Sequence, residues 1–306
     1  MSRRVSVRVP ATSANLGPGF DTLGLALALY NELEVRPAAS TTVTVEGEGA
    51  GRLPTTAKNV VVRAIRLAYE AVGRVAEPLS VRCVNRIPTA RGLGSSAAAW
   101  VGGLVAANAL LDSPLDRAAL LRLAARAEGH PDNVAAAIYG GLAVVGGEGD
   151  AVIALSLPVP ASIVWVALIP TVTSSTAEAR AVLPATVPRA DAVFNVQRVA
   201  LLLASLQAGE IDTLATALDD RLHQPYRRKL FPWLPAVVEA ARAAGALGCV
   251  LSGAGPSLLA VARNDGDGQA VAAALEKAMA SAGVAGVARA LTVDAQGATA
   301  SVDAAP

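Results

Sequence analysis

Val5, Val7 and Val9 alternate with Ser6 and Arg8. In an extended chain that spacing gathers the apolar side chains on one face, so the opening segment predicts a strand with one buried side. Pro10 is expected to end it, and Ala11 to Asp21 (ATSANLGPGFD), crowded with small and turn-forming residues, reads as a loop. Alternation resumes through Leu29, Asn31, Leu33 and Val35, and Thr41 to Glu46 adds another strand rich in Val and Thr. Helical spacing takes over from Val60 to Ala71, with Asn59 placed to cap it. Leu79 to Ile87 reads as a strand stopped by Pro88, and a glycine-rich turn from Gly92 leads into an Ala-rich helix over Ser96 to Leu110. Gly102 and Gly103 inside that helix cost about 1 kcal/mol each against Ala, which points to close packing there.

The run Ser113, Pro114, Asp116 signals a helix start with its cap at Ser113, and the helix should extend to Glu128. Gly129, His130 and Pro131 interrupt before a short helix over Asp132 to Tyr139 and a strand over Leu142 to Val145. A boundary near residues 150 to 160 divides the chain into domains 1–155 and 156–306. The second half predicts strands at Ile163 to Ile169, Gly248 to Leu251, Leu258 to Ala262 and Val287 to Thr292. Helices are expected over Asp191 to Ala208, Ile211 to Asp219, Leu234 to Ala244 and Gln269 to Ala280, and the tail from about Asp294 reads as frayed.

Composition narrows the function. Hydrophobic residues are 53% and charged residues 17% of the 306, which excludes a disordered chain. The 26 basic and 25 acidic side chains nearly cancel, so no global field collects nucleic acid or anionic membrane. Only Lys58, Lys229 and Lys277 are lysines, and none lies in the glycine-rich loop. Cys83 and Cys249 are far apart among apolar neighbours and read as inert buried thiols. With His130 and His223 the only histidines, a clustered zinc site has no ligands to draw on. The N-terminus lacks the pattern of a signal peptide, and neither Ala97 to Leu111 nor Leu155 to Pro170 gives an uninterrupted apolar span, so a soluble cytoplasmic protein is expected.

Three segments can carry chemistry. PTARGLGSSAAA, Pro88 to Ala99, feeds a strand through Gly-Leu-Gly-Ser-Ser into a helix, which assembles free backbone amides and the positive end of a helix at one point. Phosphate fits that arrangement, as does a purely structural turn; the Walker pattern and its lysine are absent. EGHPDN, Glu128 to Asn133, joins a carboxylate suited to magnesium with an imidazole and a carboxamide across a helix break, or else is an ordinary helix end. LSGAGPS, Leu251 to Ser257, is a second glycine turn that either lines a site or simply reverses the chain.

Taken together and in order, ATSANLGPGFD, PTARGLGSSAA, EGHPDNVAAAIYGG and LSGAGPS resemble the GHMP kinase superfamily over nearly the whole chain, and most of all its homoserine-phosphorylating branch. The resemblance implies an α+β two-domain fold, with an N-terminal domain like the second domain of ribosomal protein S5 and a ferredoxin-like C-terminal domain. It implies ATP and Mg2+ as cofactors, L-homoserine as the acceptor, converted to O-phospho-L-homoserine for threonine synthesis, and a homodimeric enzyme. ATP binding falls on Asn59 and Val60 and on Pro88, Thr89, Ala90, Arg91, Gly92, Leu93, Gly94, Ser95, Ser96, Ala97 and Ala98. Metal binding falls on Ser96 and Glu128. The acceptor is assigned Asn15, Asp21, His130, Asn133, Thr176, Arg180 and Arg227, with the turn Ser252, Gly253, Ala254 and Gly255 beside it. The two arginines are expected to grip a carboxylate through paired hydrogen bonds. Related mevalonate kinases place a carboxylate and a lysine near the acceptor; with Asn133 and a lysine-free first loop a dedicated strong base is not expected here, and Asp21 either acts as a base or only positions the substrate. A kinase of alcohols lacking an amino group, and a nucleotide sensor without activity, remain open alternatives.

Overall fold

The computed structural model describes residues 3 to 304. From the N-terminus come β1 (Arg3–Ala14), β2 (Leu23–Pro37), β3 (Thr42–Gly47), α1 (Val60–Ala71), β4 (Leu79–Asn85), α2 (Ser95–Leu110), α3 (Arg117–Glu128), α4 (Asp132–Tyr139), β5 (Leu142–Gly146) and β6 (Ile153–Leu157). Then follow β7 (Val164–Pro170), α5 (Thr176–Ala181), α6 (Arg189–Ala208), α7 (Leu214–Ala217), α8 (Gln224–Arg227), α9 (Leu234–Ala243), β8 (Gly248–Leu251), β9 (Leu258–Ala262), α10 (Asp265–Ser281), β10 (Gly286–Leu291) and β11 (Thr299–Ala304).

Two sheets result. The first has seven strands: β11, β1, β2, β4 and β3 lie side by side, and β5 with β6 extends from the other end of β2. Its β3–β4 pair is parallel, which needs the long connection that α1 supplies. The second sheet runs β10, β7, β9, β8 and is antiparallel throughout. A strand, a helical stretch, a hairpin, a helix and a last strand produce that order, so the βαββαβ ferredoxin-like expectation holds. Helices α2 and α4 cover β1 and β2 of the first sheet, and α9 and α10 cover the second.

The main core passes beneath both sheets without a break. Val5, Val9, Leu25, Leu33, Ile65, Val101 and Leu104 belong to the same buried cluster as Trp165, Leu202, Val250 and Val261 from the second half. A smaller cluster of Val166, Val237, Leu258, Val271 and Leu275 lies under α9 and α10. Burial pushes the thiol of Cys83 up to about 11 and that of Cys249 to about 12, which keeps both unreactive.

Several expectations are corrected. Pro10 does not end β1: the register with β2 shifts between Pro10 and Ala11, where Ala28 and Leu29 of β2 bulge out of the pairing, and β1 continues as a wholly buried run to Ala14. The bulge absorbs the missing proline donor, and small residues let the strand continue inside the core. Helix α3 is capped by Asp116, whose side chain accepts from the amide of Ala119 at 2.7 Å, three residues later than Ser113. The side chain of Asn108 holds both the N–H and the C=O of Leu115, keeping Ser113 and Pro114 in a turn.

The tail is not frayed either. Asp294 accepts from the hydroxyl of Tyr30 and from the amides of Gln296 and Gly297, and β11 then pairs antiparallel with β1 from Arg3 to Arg8. The chain's end thus returns to the first sheet, while β6 straddles the boundary expected at residue 155 and also belongs to that sheet. Among the described residues no helix is long and apolar enough to cross a membrane.

Candidate active site

The phosphate-loop sequence is shaped first by its neighbours. Gly94, at φ 69°, would drive a Cβ to 1.9 Å from the hydroxyl of Thr12, and Gly92, at φ 76°, would drive one to 2.2 Å from the carbonyl of Ser252. Both glycines are therefore required before any ligand arrives. Leu93 and Ala97 anchor the loop in the core, and α2 starts at Ser95 with no side-chain cap. Among the described residues no protein acceptor takes the amides of Gly92 through Ala97; the first bond of the helix runs from Ala98 to Gly94. A collar of six donors at the positive end of a 16-residue helix is an anion site by geometry.

Beside the collar lies a cavity of about 240 Å³ lined by Leu33, Val45, Leu53, Pro54, Asn59, Val60, Thr89, Ala90, Ser95, Ser96 and Ala98. Its largely apolar wall suits a base or sugar face. Asn59 has a structural task there as well: its carbonyl oxygen caps α1 through Val61, and its amide donates to Pro54. Pro88 is buried behind the loop. Arg91 turns away from it, donating to the carbonyls of Pro170, Thr171 and Thr89, so its guanidinium fastens the loop to the end of β7.

Glu128 arrives at the collar from the last turn of α3, and Ser96 Oγ donates to its Oε2 at 2.7 Å. Burial raises the Glu128 carboxyl above its ordinary value, with the Ser96 hydroxyl and His130 opposing and Asp132 adding to the rise. Two oxygen donors in contact, one of them an incompletely solvated carboxylate, fit a hard cation that keeps phosphate and water as its other ligands.

The acceptor residues converge. A narrow cleft of about 30 Å³ is lined by Asn15, Asp21, His130, Asn133, Thr176, Arg180, Arg227, Gly253 and Ala254, drawn from the first loop, α4, α5, α8 and the late glycine turn. Asp21 receives both Nη atoms of Arg180, at 2.7 and 2.9 Å, across an exposed rim. Burial works against protonating His130, but Asp132 at 3.0 Å and then Glu128 outweigh it, and its pKa lies above the ordinary value. Asn133 Oδ1 accepts from Thr12 at 2.8 Å. Arg227, only 2% exposed, is lowered to about 10 by burial and by the neighbouring Arg180 charge, and still carries its proton at neutral pH.

The turn at Ser252 to Gly255 divides. Gly253 and Ala254 face the cleft, whereas Ser252 Oγ donates to Gly92 O at 2.6 Å and lies 2.9 Å from Ser13 Oγ, and Gly255 packs under Phe231. Thr12, Ser13, Phe20 and His223 carry no expectation from the sequence, yet each touches a site residue. Thr12 sits between Gly94 and Asn133, and the His223 ring stacks on Phe20 with centroids 5.3 Å apart. The one signal for His223 is its position four residues before Arg227, the spacing of neighbours on a helix.

Two domain families match this chain: "GHMP kinases N terminal domain" over residues 59–141 and "GHMP kinases C terminal" over residues 202–281. The chain belongs to the GHMP kinase family. Its relatives point to one branch. It is 51% identical to a homoserine kinase of Moorella thermoacetica over 84% of this chain and 87% of that one. It is 48% identical to a homoserine kinase of Carboxydothermus hydrogenoformans, covering 92% and 91%. The crystal structure of homoserine kinase from Cytophaga hutchinsonii superposes with a TM-score of 0.88 at 32% identity, over 97% of each chain.

Proposed function

We infer that this protein transfers the γ-phosphoryl group of ATP to the side-chain hydroxyl of L-homoserine, giving O-phospho-L-homoserine and ADP, the reaction that feeds threonine synthesis. The observation that carries the reading is the free amide collar of Gly92 to Ala97, set between an apolar cavity and a cleft of paired charges. The branch follows from the homoserine kinases to which the chain is about half identical.

In this reading the base and sugar enter the cavity over Val60 and Ala98, and the phosphate oxygens take the collar amides. Ser96 and Glu128 would hold magnesium, which would offset the charge on the transferring group. Arg180 and Arg227 take the acceptor's carboxylate, and Asp21 takes its ammonium. Asn15 and Asn133 flank the hydroxyl. Asn15 is itself fixed, donating to Gly253 O at 3.0 Å and accepting from the amide of Asp21. A loose transition state needs little early deprotonation, so Asp21 serves as a positioning group and no residue acts as a strong base. The enzyme works in the cytoplasm as a homodimer, the second part testable by light scattering.

The decisive test is a panel of alcohols with ATP and magnesium, read by ADP release. L-Homoserine should turn over far faster than mevalonate, shikimate or 4-hydroxybutyrate. Preference for an acceptor without an amino group would reverse the role of Asp21, and ATP binding without any transfer would leave a sensor.

A further inference from the structure

The machinery described so far leaves a fully buried titratable group, His223, unused. His223 is 0% exposed at the start of α8. Its Nδ1 lies 3.0 Å from Arg227 Nη1 and its Nε2 lies 2.7 Å from the carbonyl oxygen of Gly17 in the first loop. A guanidinium has only donors, so Nδ1 must be the accepting nitrogen and the ring proton must sit on Nε2, where Gly17 receives it. The tautomer follows from the partners alone. Phe20 stacks on the ring, and Asp220 Oδ2, 3.5 Å from Nε2, favours a proton on that nitrogen. Asp220 is itself occupied, accepting from the amides of Leu222, His223 and Gln224 and from Asn195.

Arg227 shows what the ring achieves. Its Nε donates to Ala179 O, and the two hydrogens of Nη1 go to His223 Nδ1 and to Gly253 O. Of five N–H groups three are taken, and among the described residues only Nη2 keeps both hydrogens without a protein partner. Arg227 therefore cannot present the two-nitrogen fork expected from its residue type. It offers one nitrogen, in one direction, and the imidazole helps set that direction.

We propose that His223 is a positioning residue for the acceptor: anchored to the first loop through Gly17, it turns Arg227 so that Nη2 alone reaches the carboxylate of the amino-acid substrate. The proposal rests on the acceptor assignment made above and deepens it. It also explains why the loop bearing Asn15 and Asp21 and the helix bearing Arg227 keep register: one ring is bonded to both.

Two variants separate aiming from packing. His223→Phe keeps a ring against Phe20 but removes both bonds, leaving a buried guanidinium hydrogen unpaired; the KM for L-homoserine should rise about 10- to 100-fold while the KM for ATP moves less than about 2-fold. His223→Asn restores an acceptor close to the Nδ1 position and should recover most of that loss. A homoserine KM unchanged in His223→Phe, equal effects of the two variants, or a parallel rise in both KM values would each overturn the proposal. Should His223→Phe fail to fold, long-range 15N–1H NMR on the unaltered protein decides. With only two histidines in the chain the ring signals are readily assigned. His223 should show a protonated Nε2 and a bare Nδ1 from about pH 8 to about pH 5.5. An Nδ1–H tautomer or an imidazolium at neutral pH would overturn it. If the tautomer is as stated but no alcohol with a carboxylate and an ammonium is phosphorylated, the functional reading fails and the arrangement of His223 stands.

Discussion

Asp21 and Arg180 pair across the rim of the acceptor cleft, and the rim's exposure keeps the worth of that pair to stability small. Its importance lies in binding. Arg180→Lys replaces a planar fork by a point charge, so we expect the homoserine KM to rise about 10-fold or more with little change for ATP, measured by steady-state kinetics. At the other side of the collar, Ser96→Ala and Glu128→Gln should each lower kcat about 100-fold and shift the magnesium titration to higher concentration. Parental turnover and metal dependence in both variants would remove them from the metal site. His223 supplies a pH dependence with a definite sign. Burial and the Arg227 charge leave it titrating at about 4 in the folded protein, against about 6.5 unfolded. Between those values the unfolded chain binds the extra proton, so stability is full above about pH 6.5 and falls as pH drops towards about 4. At about pH 5 the loss is about 2 kcal/mol, and urea denaturation of the parent against His223→Phe at about pH 7 and about pH 5 isolates it.

At the scale of the element, α2 carries the argument. Gly103 faces α1 so closely that an added Cβ would stand 2.6 Å from both Ala64 Cβ and Val61 O. Gly103→Ala should therefore destabilise by about 1 to 3 kcal/mol although alanine is the better helix former by about 1 kcal/mol, and a thermal melt reads the difference. The same helix shows what was legible beforehand. Its span, the cap at Asn59 and the strand of Val5, Val7 and Val9 follow from spacing and local chemistry, and the structure reproduces them. The collar was legible too, because strand, glycine turn and helix are contiguous in the chain.

What could not be read depends on partners distant in sequence. Arg91 is placed with the ATP-binding residues by the resemblance, whereas the carbonyls of Pro170 and Thr171, 79 and 80 residues away, claim its guanidinium. The short helices α5 and α8 have too few residues for periodicity to show, yet they deliver Thr176, Arg180 and Arg227. The four-residue Ala11–Ala14 extension of β1 is hidden by a proline whose effect is a bulge and not a break. Family resemblance supplied the acceptor residues; pattern alone would have left the arginines among ordinary surface charges.

For the whole molecule, β11 matters beyond its six residues. It covers the edge that β1 would otherwise expose along Arg3 to Arg8. Truncation after Leu291 should lower Tm and promote self-association, seen by calorimetry and light scattering; an unaltered melt would mean that the edge needs no cover. A single core beneath both sheets predicts one cooperative transition for the intact chain, with far-ultraviolet dichroism and tryptophan fluorescence coinciding.

That undivided interior also constrains how the enzyme can move. With Leu202, Val250 and Val261 packed into the same cluster as Val9 and Leu104, the halves cannot swing apart about a hinge without opening that packing. Traffic of reactants must instead pass through small local displacements at the lip, the Arg180 side chain first among them. Tethering one sheet to the other should then leave turnover nearly untouched, whereas immobilising α5 should stall it.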